Sequence, residues 1–272
     1  MLGREFAIAV QGTEFTRANL NLELSVTELA TALAGHEVIL NCTAYTAVDA
    51  AETNEEQANH VNGALAEKLA QAAATIGAKF IHFSTDYVFD GNPTNATPYS
   101  TQTARNPQNA YGRSKALGEA LIEASGANYT IIRTAWLYGE HGKCFPKTIA
   151  NLLESRGHLN IVADQHGQPT WTRDLVDYTL RFLESPLANS TTHLHGVASG
   201  QATWFDFAQE VAIAIGLDPT TTLSPVATAA FPTPAKRPAY SVLDNQNEGL
   251  TAIGDWRDRW HAAAATVLAA RG

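Results

Sequence analysis

Tyr111-Gly112-Arg113-Ser114-Lys115 puts a phenol and an ammonium four positions apart. On a helix that is about one turn, so both side chains fall on one face. Free tyrosine has a pKa of about 10, and a fixed cation beside it favours the phenolate, which makes the group usable as an acid or base near neutral pH. Upstream, Ser84-Thr85-Asp86-Tyr87 ends an apolar run and offers Thr85 as a hydroxyl that could hold a substrate oxygen beside Tyr111. Taken alone, each stretch has a plain reading as well. YxxxK also describes two ordinary helix-surface residues, and a strand ending in small polar side chains also describes a turn.

The elements that would position these residues alternate in type. Gly3 to Val10 reads as the start of a helix, Thr13 to Thr16 as a short strand and Glu23 to Ala34 as a helix. Glu37 to Asn41 is a short apolar run, Asn54 to Ala74 a long helix ended by Gly77, and Lys79 to Phe83 the next strand. Asp90 to Gln108 is rich in turn formers and reads as a loop. Ala110 to Ala124 is the helix that carries YGRSK, and Tyr129 to Arg133 is a third buried strand. Strand, helix and strand repeated in this way predict βαβ units and a parallel sheet, that is, an α/β doubly wound fold. Further on, the expected elements are a short strand with a proline turn within His158 to Thr170, a helix over Arg173 to Leu183 and a strand over Thr192 to Val197. A helix capped by Thr203 follows, then a proline-rich loop from Pro225 to Pro238 and a terminal helix over Asp255 to Ala269.

In such sheets ligands bind beyond the carboxyl ends of the strands. Asn41-Cys42-Thr43-Ala44 and Arg133-Thr134-Ala135-Trp136 therefore join Thr85 as candidate lining. Thr46 or Asp49 could equally be a cap, and Trp136 could equally plug the sheet edge. Arg17 follows the short second strand, where an arginine accommodates a 2′-phosphate, and this tilts the cofactor towards NADP.

Composition narrows the field. The 272 residues carry a formal charge of −9 with no basic run, which argues against nucleic-acid or anionic-membrane partners. Two cysteines imply no disulfide framework, no stretch reaches transmembrane length, and the default setting is a reduced cytoplasm. Scattered histidines without HExxH or CxxC spacing argue against a catalytic zinc. The absence of GxSxG and GxxxxGK[ST] removes two large enzyme classes.

Six stretches in register, NCTAYTAVDAAE, STDYVFDG, YGRSKALGE, RTAWLYG, DQHGQPTWTRDL and RPAYSVLDN, resemble the dTDP-4-dehydrorhamnose reductase family of extended short-chain dehydrogenases. The resemblance spans almost the whole chain. It implies a Rossmann-like NADP-binding domain over 1–150 and a smaller, interleaved substrate-binding lobe mainly within 151–272. By the same resemblance Tyr111 is the acid, Lys115 lowers its pKa and holds the nicotinamide ribose, and Thr85 orients the substrate. Asp86, Tyr87 and Trp136 line the sugar pocket. Thr43, Ala44 and Thr46 face the cofactor, Glu23 and Leu24 border the adenine, Gly3 belongs to the pyrophosphate turn and Arg17 fits a 2′-phosphate. The implied reaction is reduction of the C4 ketone of a dTDP-6-deoxy-4-keto sugar by NADPH, with NADH as the alternative.

Family members open with a strand and a TGxxGxLG turn, whereas Met1-Leu2-Gly3 matches only the end of that turn. The expectation is that the natural start lies upstream. Some members also hold magnesium through glutamates at a dimer interface. Glu5 matches one of these, but the other ligands have no clear counterpart, so no metal is expected and a homodimer stays open. Two rival readings remain at this stage: a reductase or epimerase of another nucleotide sugar, and a non-catalytic regulatory protein on the same fold.

Overall fold

The computed structural model describes residues 1–16, 18–92, 96–247 and 249–271. At its centre is a four-stranded, fully parallel sheet, β1 (Val38–Asn41), β2 (Lys79–Thr85), β3 (Asn128–Thr134) and β4 (Thr192–His195), adjacent in that order. All carboxyl ends therefore lie along one edge. In β2, Phe80 packs on one face among residues of α2 (Val26–Ala32), the long helix α3 (residues 55–76) and α4 (Ala110–Glu123). Ile81 and Phe83 alternate to the other face and join α1 (Leu2–Ala9), α5 (Phe145–Arg156), α6 (Thr172–Glu184), α7 (Trp204–Ala214) and α8 (Trp256–Ala269). Both faces are covered by helices, so the doubly wound α/β architecture is present, and strands buried on both sides need the continuous apolar runs read from the sequence.

Several expectations are corrected. Among the described residues Thr13 to Thr16 pairs with no strand. A segment of that length has no reason to be a strand without a neighbouring edge to bond to. The helix expected from Glu23 starts at Val26, because Ser25 and Glu28 form a reciprocal capping box that fixes the N-terminus. The first two residues of the proline-rich stretch, Pro225 and Val226, belong to a strand, Leu223–Val226, parallel to Leu159–Val162. It is a two-stranded edge, where Pro225 costs no ladder bond. Arg17 lies outside the described residues.

The largest correction is inside α3. Glu55–Asn59 and Leu65–Ile76 are α-helical, but His60–Ala64 between them forms a π-turn. Asn62 is fully buried there and its side chain is satisfied three times. Its Oδ1 accepts from Tyr45 N at 2.8 Å, and its Nδ2 donates to Tyr45 O at 3.1 Å and to Ser114 Oγ at 2.8 Å. The π-turn thus ties the loop after β1 to α4. Gly118 on α4 allows the approach, since a Cβ there would sit 2.1 Å from Asn62 O. Gly118→Ala is expected to destabilise by about 1–3 kcal/mol or more through forced separation of two backbones, read as a lower thermal midpoint.

Candidate active site

β2 carries the chain to Thr85, and a single 3₁₀ turn over Asp86–Val88 follows. Thr85 and Asp86 are buried. The Thr85 hydroxyl donates to Asp86 Oδ1 at 2.9 Å and accepts from Tyr87 N at 3.2 Å. Burial pushes the Asp86 carboxyl up to about 6, against the hydrogen bonds of Ser241 and Thr85. Asn109 starts α4 by accepting from Gly112 N at 2.8 Å, which aims Tyr111 at this turn. The Tyr87 and Tyr111 rings meet edge to face at 5.7 Å.

Tyr111, Thr85, Asp86 and Tyr87 are therefore brought together as the spacing suggested. The expected lowering of the tyrosine pKa is not what this geometry gives. Burial pushes the Tyr111 phenol up to about 12, and its interaction with the Thr85 side chain only partly opposes it. The Lys115 amine is turned inward instead. Its Nζ lies 2.6 Å from Phe83 O, to which it donates, and 3.0 Å from His82 Nε2, and the residue is only 1% exposed. Burial lowers its pKa to about 8, while Glu119 and Cys42 pull the other way.

Behind Lys115 stands a group that pattern reading passed over. His82 is fully buried, and Asn41, its cross-strand partner in the β1–β2 register, places Nδ2 at 3.0 Å from His82 Nδ1. A histidine in the middle of KFIHF was the available signal, because an apolar parallel strand has no use for an imidazole unless something pairs with it. Asn62 is the second omission, signalled by Asn-Gly in the middle of a helix.

Thr43, Ala44 and Thr46 lie on the loop beyond β1, with Thr43 and Thr46 exposed and Ala44 half-buried. Gly3, in the first turn of α1, meets this loop, and a Cβ on it would lie 3.3 Å from Cys42 Cβ. Glu23 and Leu24 sit in the turn before α2, where Lys68 donates to Leu24 O at 3.2 Å. Among the described residues no hydrogen bond joins them to the Tyr111 group. Trp136, at the end of β3, takes a left-handed backbone with φ 45°. Its indole stacks on Trp204 at 3.5 Å and covers Gly167, whose Cβ would come within 2.4 Å of it. It thus leaves the β3 end to pack against the second half of the chain.

The donor set fits a dinucleotide. The N-cap of α1, Met1, makes no side-chain cap bond, and Gly3 in the first turn lies against Cys42 beside the β1 loop. Lys115 keeps one Nζ–H for a further acceptor. On the opposite side Arg237 donates to Asp49 Oδ2 at 2.7 Å and Asn109 Nδ2 to Lys236 O at 2.8 Å, which draws the 235–238 segment across the strand ends.

No helix among the described residues is long and apolar enough to cross a membrane. The chain is 40% identical over 280 residues to the probable dTDP-4,6-dihydroxy-2-methyloxan-3-one 4-ketoreductase of Streptomyces antibioticus, covering 99% of this chain and 93% of that one. It is 39% identical over 237 residues to the dTDP-4-dehydrorhamnose reductase of Burkholderia thailandensis, covering 81% and 78%. Among solved structures, a dTDP-4-dehydrorhamnose reductase from Clostridium acetobutylicum superimposes with a TM-score of 0.88 at 35% identity, covering 97% of this chain and 95% of that chain. The Bacillus anthracis enzyme, solved in complex with NADP, does so with a TM-score of 0.89 at 29% identity over 96% and 94%. The model of the RmlD substrate binding domain matches residues 2–271, and the chain belongs to that family.

Proposed function

We propose that the protein reduces the C4 ketone of dTDP-4-dehydro-L-rhamnose to dTDP-L-rhamnose with NADPH, NADH being the alternative reductant. The observation that carries this is the meeting of Tyr111 and Thr85 at the carboxyl edge of the sheet, with Lys115 one turn further along α4 and buried against Phe83 O, in a chain whose relatives are named for that reduction. NADPH, when bound, supplies the hydride. Thr85 holds the ketone oxygen beside the phenol. Tyr111, kept protonated by burial, gives its proton to that oxygen as it becomes an alkoxide, so one O–H bond breaks and another forms. Asp86, Tyr87 and Trp136 bound the sugar side. Lys115, Gly3, Thr43, Ala44 and Thr46 hold the cofactor, with Glu23 and Leu24 at its adenine end.

The same reading divides the chain into a cofactor-binding part, 1–150, and a substrate lobe mainly within 151–272. It also makes the protein cytoplasmic, and its assembly as a homodimer is open to sedimentation.

One observation favours a second reading. The Streptomyces antibioticus relative is named for a different dTDP-linked ketone, so another dTDP-4-keto sugar could be the preferred substrate. Following NADPH oxidation with a panel of dTDP-4-keto sugars decides between them. The expected result is the highest kcat/KM with dTDP-4-dehydro-L-rhamnose. A higher value with another sugar selects the second reading, and no oxidation of NADPH or NADH with any of them overturns both.

A further inference from the structure

We propose that Trp204 is a positioning residue for Trp136: with Gly167 it clamps the Trp136 indole from both faces, so that the dTDP-sugar meets an indole rim of fixed tilt instead of a face to stack on.

Both jaws of the clamp are visible in the contacts. The Trp136 and Trp204 rings lie 3.5 Å apart, centroid to centroid, and within 6° of parallel, so Trp204 covers one whole face. Gly167 takes the other. A Cβ built on it would meet Trp136 Cε2 at 2.4 Å, Nε1 at 2.6 Å and Cζ2 at 2.7 Å. Cε2 is the ring-fusion atom between the other two, and an approach closest to it comes over the ring, not along its rim. Gly167 has no left-handed backbone, so its missing side chain serves the close approach and not the conformation. Trp136 does have one, with φ 45°, which a bulky residue keeps only where its surroundings over-determine it.

Trp204 is itself fixed from three directions. It opens α7 directly after Thr203, whose capping box with Asp206 sets the first turn. Ala202 and Thr203 pair antiparallel with Gly167 and His166, so the two jaws share one short ladder. The Phe145 ring tilts against the Trp204 indole at 4.6 Å. The third hold is a hydrogen-bond relay that can run in only one direction. Trp204 Nε1–H, an obligate donor, meets Gln165 Oε1 at 3.1 Å. Gln165 Nε2 donates to Thr228 Oγ1 at 3.0 Å, and that hydroxyl donates to Asp164 Oδ1 at 2.6 Å. Gln165 is buried, so little solvent competes for its amide.

An indole with both faces covered can neither tilt nor sandwich a ligand. The use made of this rests on the reductase reading, in which Trp136 bounds the sugar side; the clamp itself does not. Removing Trp204 frees one face and lets the indole turn, which widens that side of the crevice. Binding of the sugar should weaken, while the proton that Tyr111 gives to a bound ketone is untouched.

Proton spectra of the full chain with labelled tryptophan rings test the clamp, and steady-state kinetics test its use. Trp136→Phe and Trp204→Phe identify the two sets of signals among the five tryptophans. The Trp136 ring protons are expected well upfield, in the ring current of Trp204, and should return to ordinary positions in Trp204→Leu. That variant should raise KM for the dTDP-4-keto sugar about ten-fold, within the hundred-fold that a misplacement of about 1 Å can cost, with kcat and KM for NADPH close to the parent's. Trp204→Phe, which keeps a flat face, should recover most of the loss. Ordinary Trp136 shifts in the parent overturn the proposal. So does an unchanged sugar KM in Trp204→Leu, or a loss spread equally over kcat and NADPH, which marks a general disturbance. If Trp204→Leu does not fold, Gly167→Ala decides, because it expels the indole with Trp204 in place and should raise the same KM. A parent that oxidised no NADPH with any dTDP-4-keto sugar would overturn the reductase reading. Calorimetric titration with dTDP-L-rhamnose then takes the place of KM: weaker binding by Trp204→Leu supports the clamp, and equal binding, or none by the parent, overturns it.

Discussion

Tyr111→Phe is expected to lower kcat/KM for NADPH-dependent 4-keto sugar reduction by about 10²–10⁴-fold, the usual contribution of a placed general acid. The substitution removes one oxygen and keeps the ring, so the edge contact with Tyr87 and the start of α4 at Asn109 persist. Thermal stability should stay close to that of the parent, and the loss should fall on kcat more than on KM, because the proton is needed only as the alkoxide develops. A phenol held at about 12 is fully protonated throughout the neutral range, so the parent's rate should show no fall from ionisation of Tyr111 there. A Tyr111→Phe protein with unchanged turnover would remove the residue from the mechanism.

The largest effect on stability is expected at Glu119. This carboxylate is fully buried and accepts from Arg133 Nε at 3.0 Å, Arg133 Nη2 at 2.7 Å and Arg105 Nη1 at 3.1 Å. Arg133, only 3% exposed, also lies 5.0 Å over the Phe89 ring and donates to Thr101 O. Glu119→Gln keeps the shape but leaves a buried guanidinium without its counter-charge, and chemical denaturation should show a loss of about 3–5 kcal/mol. Removing the half-exposed Arg105 instead should cost about 1 kcal/mol or less. Burial by itself would raise the Glu119 carboxyl. The hydrogen bond and charge of Arg133, helped by Ser84 and Arg105, outweigh it and hold the group below its ordinary 4.5. A folded pKa below the unfolded one stabilises above 4.5 and loses that stabilisation as pH falls through the lowered value. The variant's stability should therefore vary less with pH below 4.5 than the parent's. An unchanged acid arm would show that Glu119 is not ionised in the folded protein.

What the sequence disclosed follows from the range of the forces involved. The three apolar strands, the helix with YGRSK and the Thr203 cap depend on local patterning, and each stands where expected. Thr13 to Thr16 and Leu223 to Val226 went the other way, because strand formation depends on a partner that no local window contains. The site divides along the same line. Thr85 and Tyr111 meet because one ends a strand and the other opens a helix. The inward turn of Lys115 depends on His82 and Phe83, more than thirty positions upstream. The π-turn at Asn62 is set by its contacts with Tyr45 and Ser114. Trp136 packs on Trp204, which no strand-end pattern could indicate.

The clasp between Asp49 and Arg237 bears on how the molecule is made. The two residues are 188 positions apart, and Asn109 reaches Lys236 over 127. Closing loops of this length costs entropy before any contact repays it, and chains with such distant pairings fold slowly. During synthesis from the N-terminus the first three sheet strands and YGRSK emerge well before the segment that spans their ends. A nascent chain can thus assemble its proton donor early, yet that wall of the crevice waits for residues 235–238, which exposes the half-built cleft to the chaperones that attend unfinished proteins.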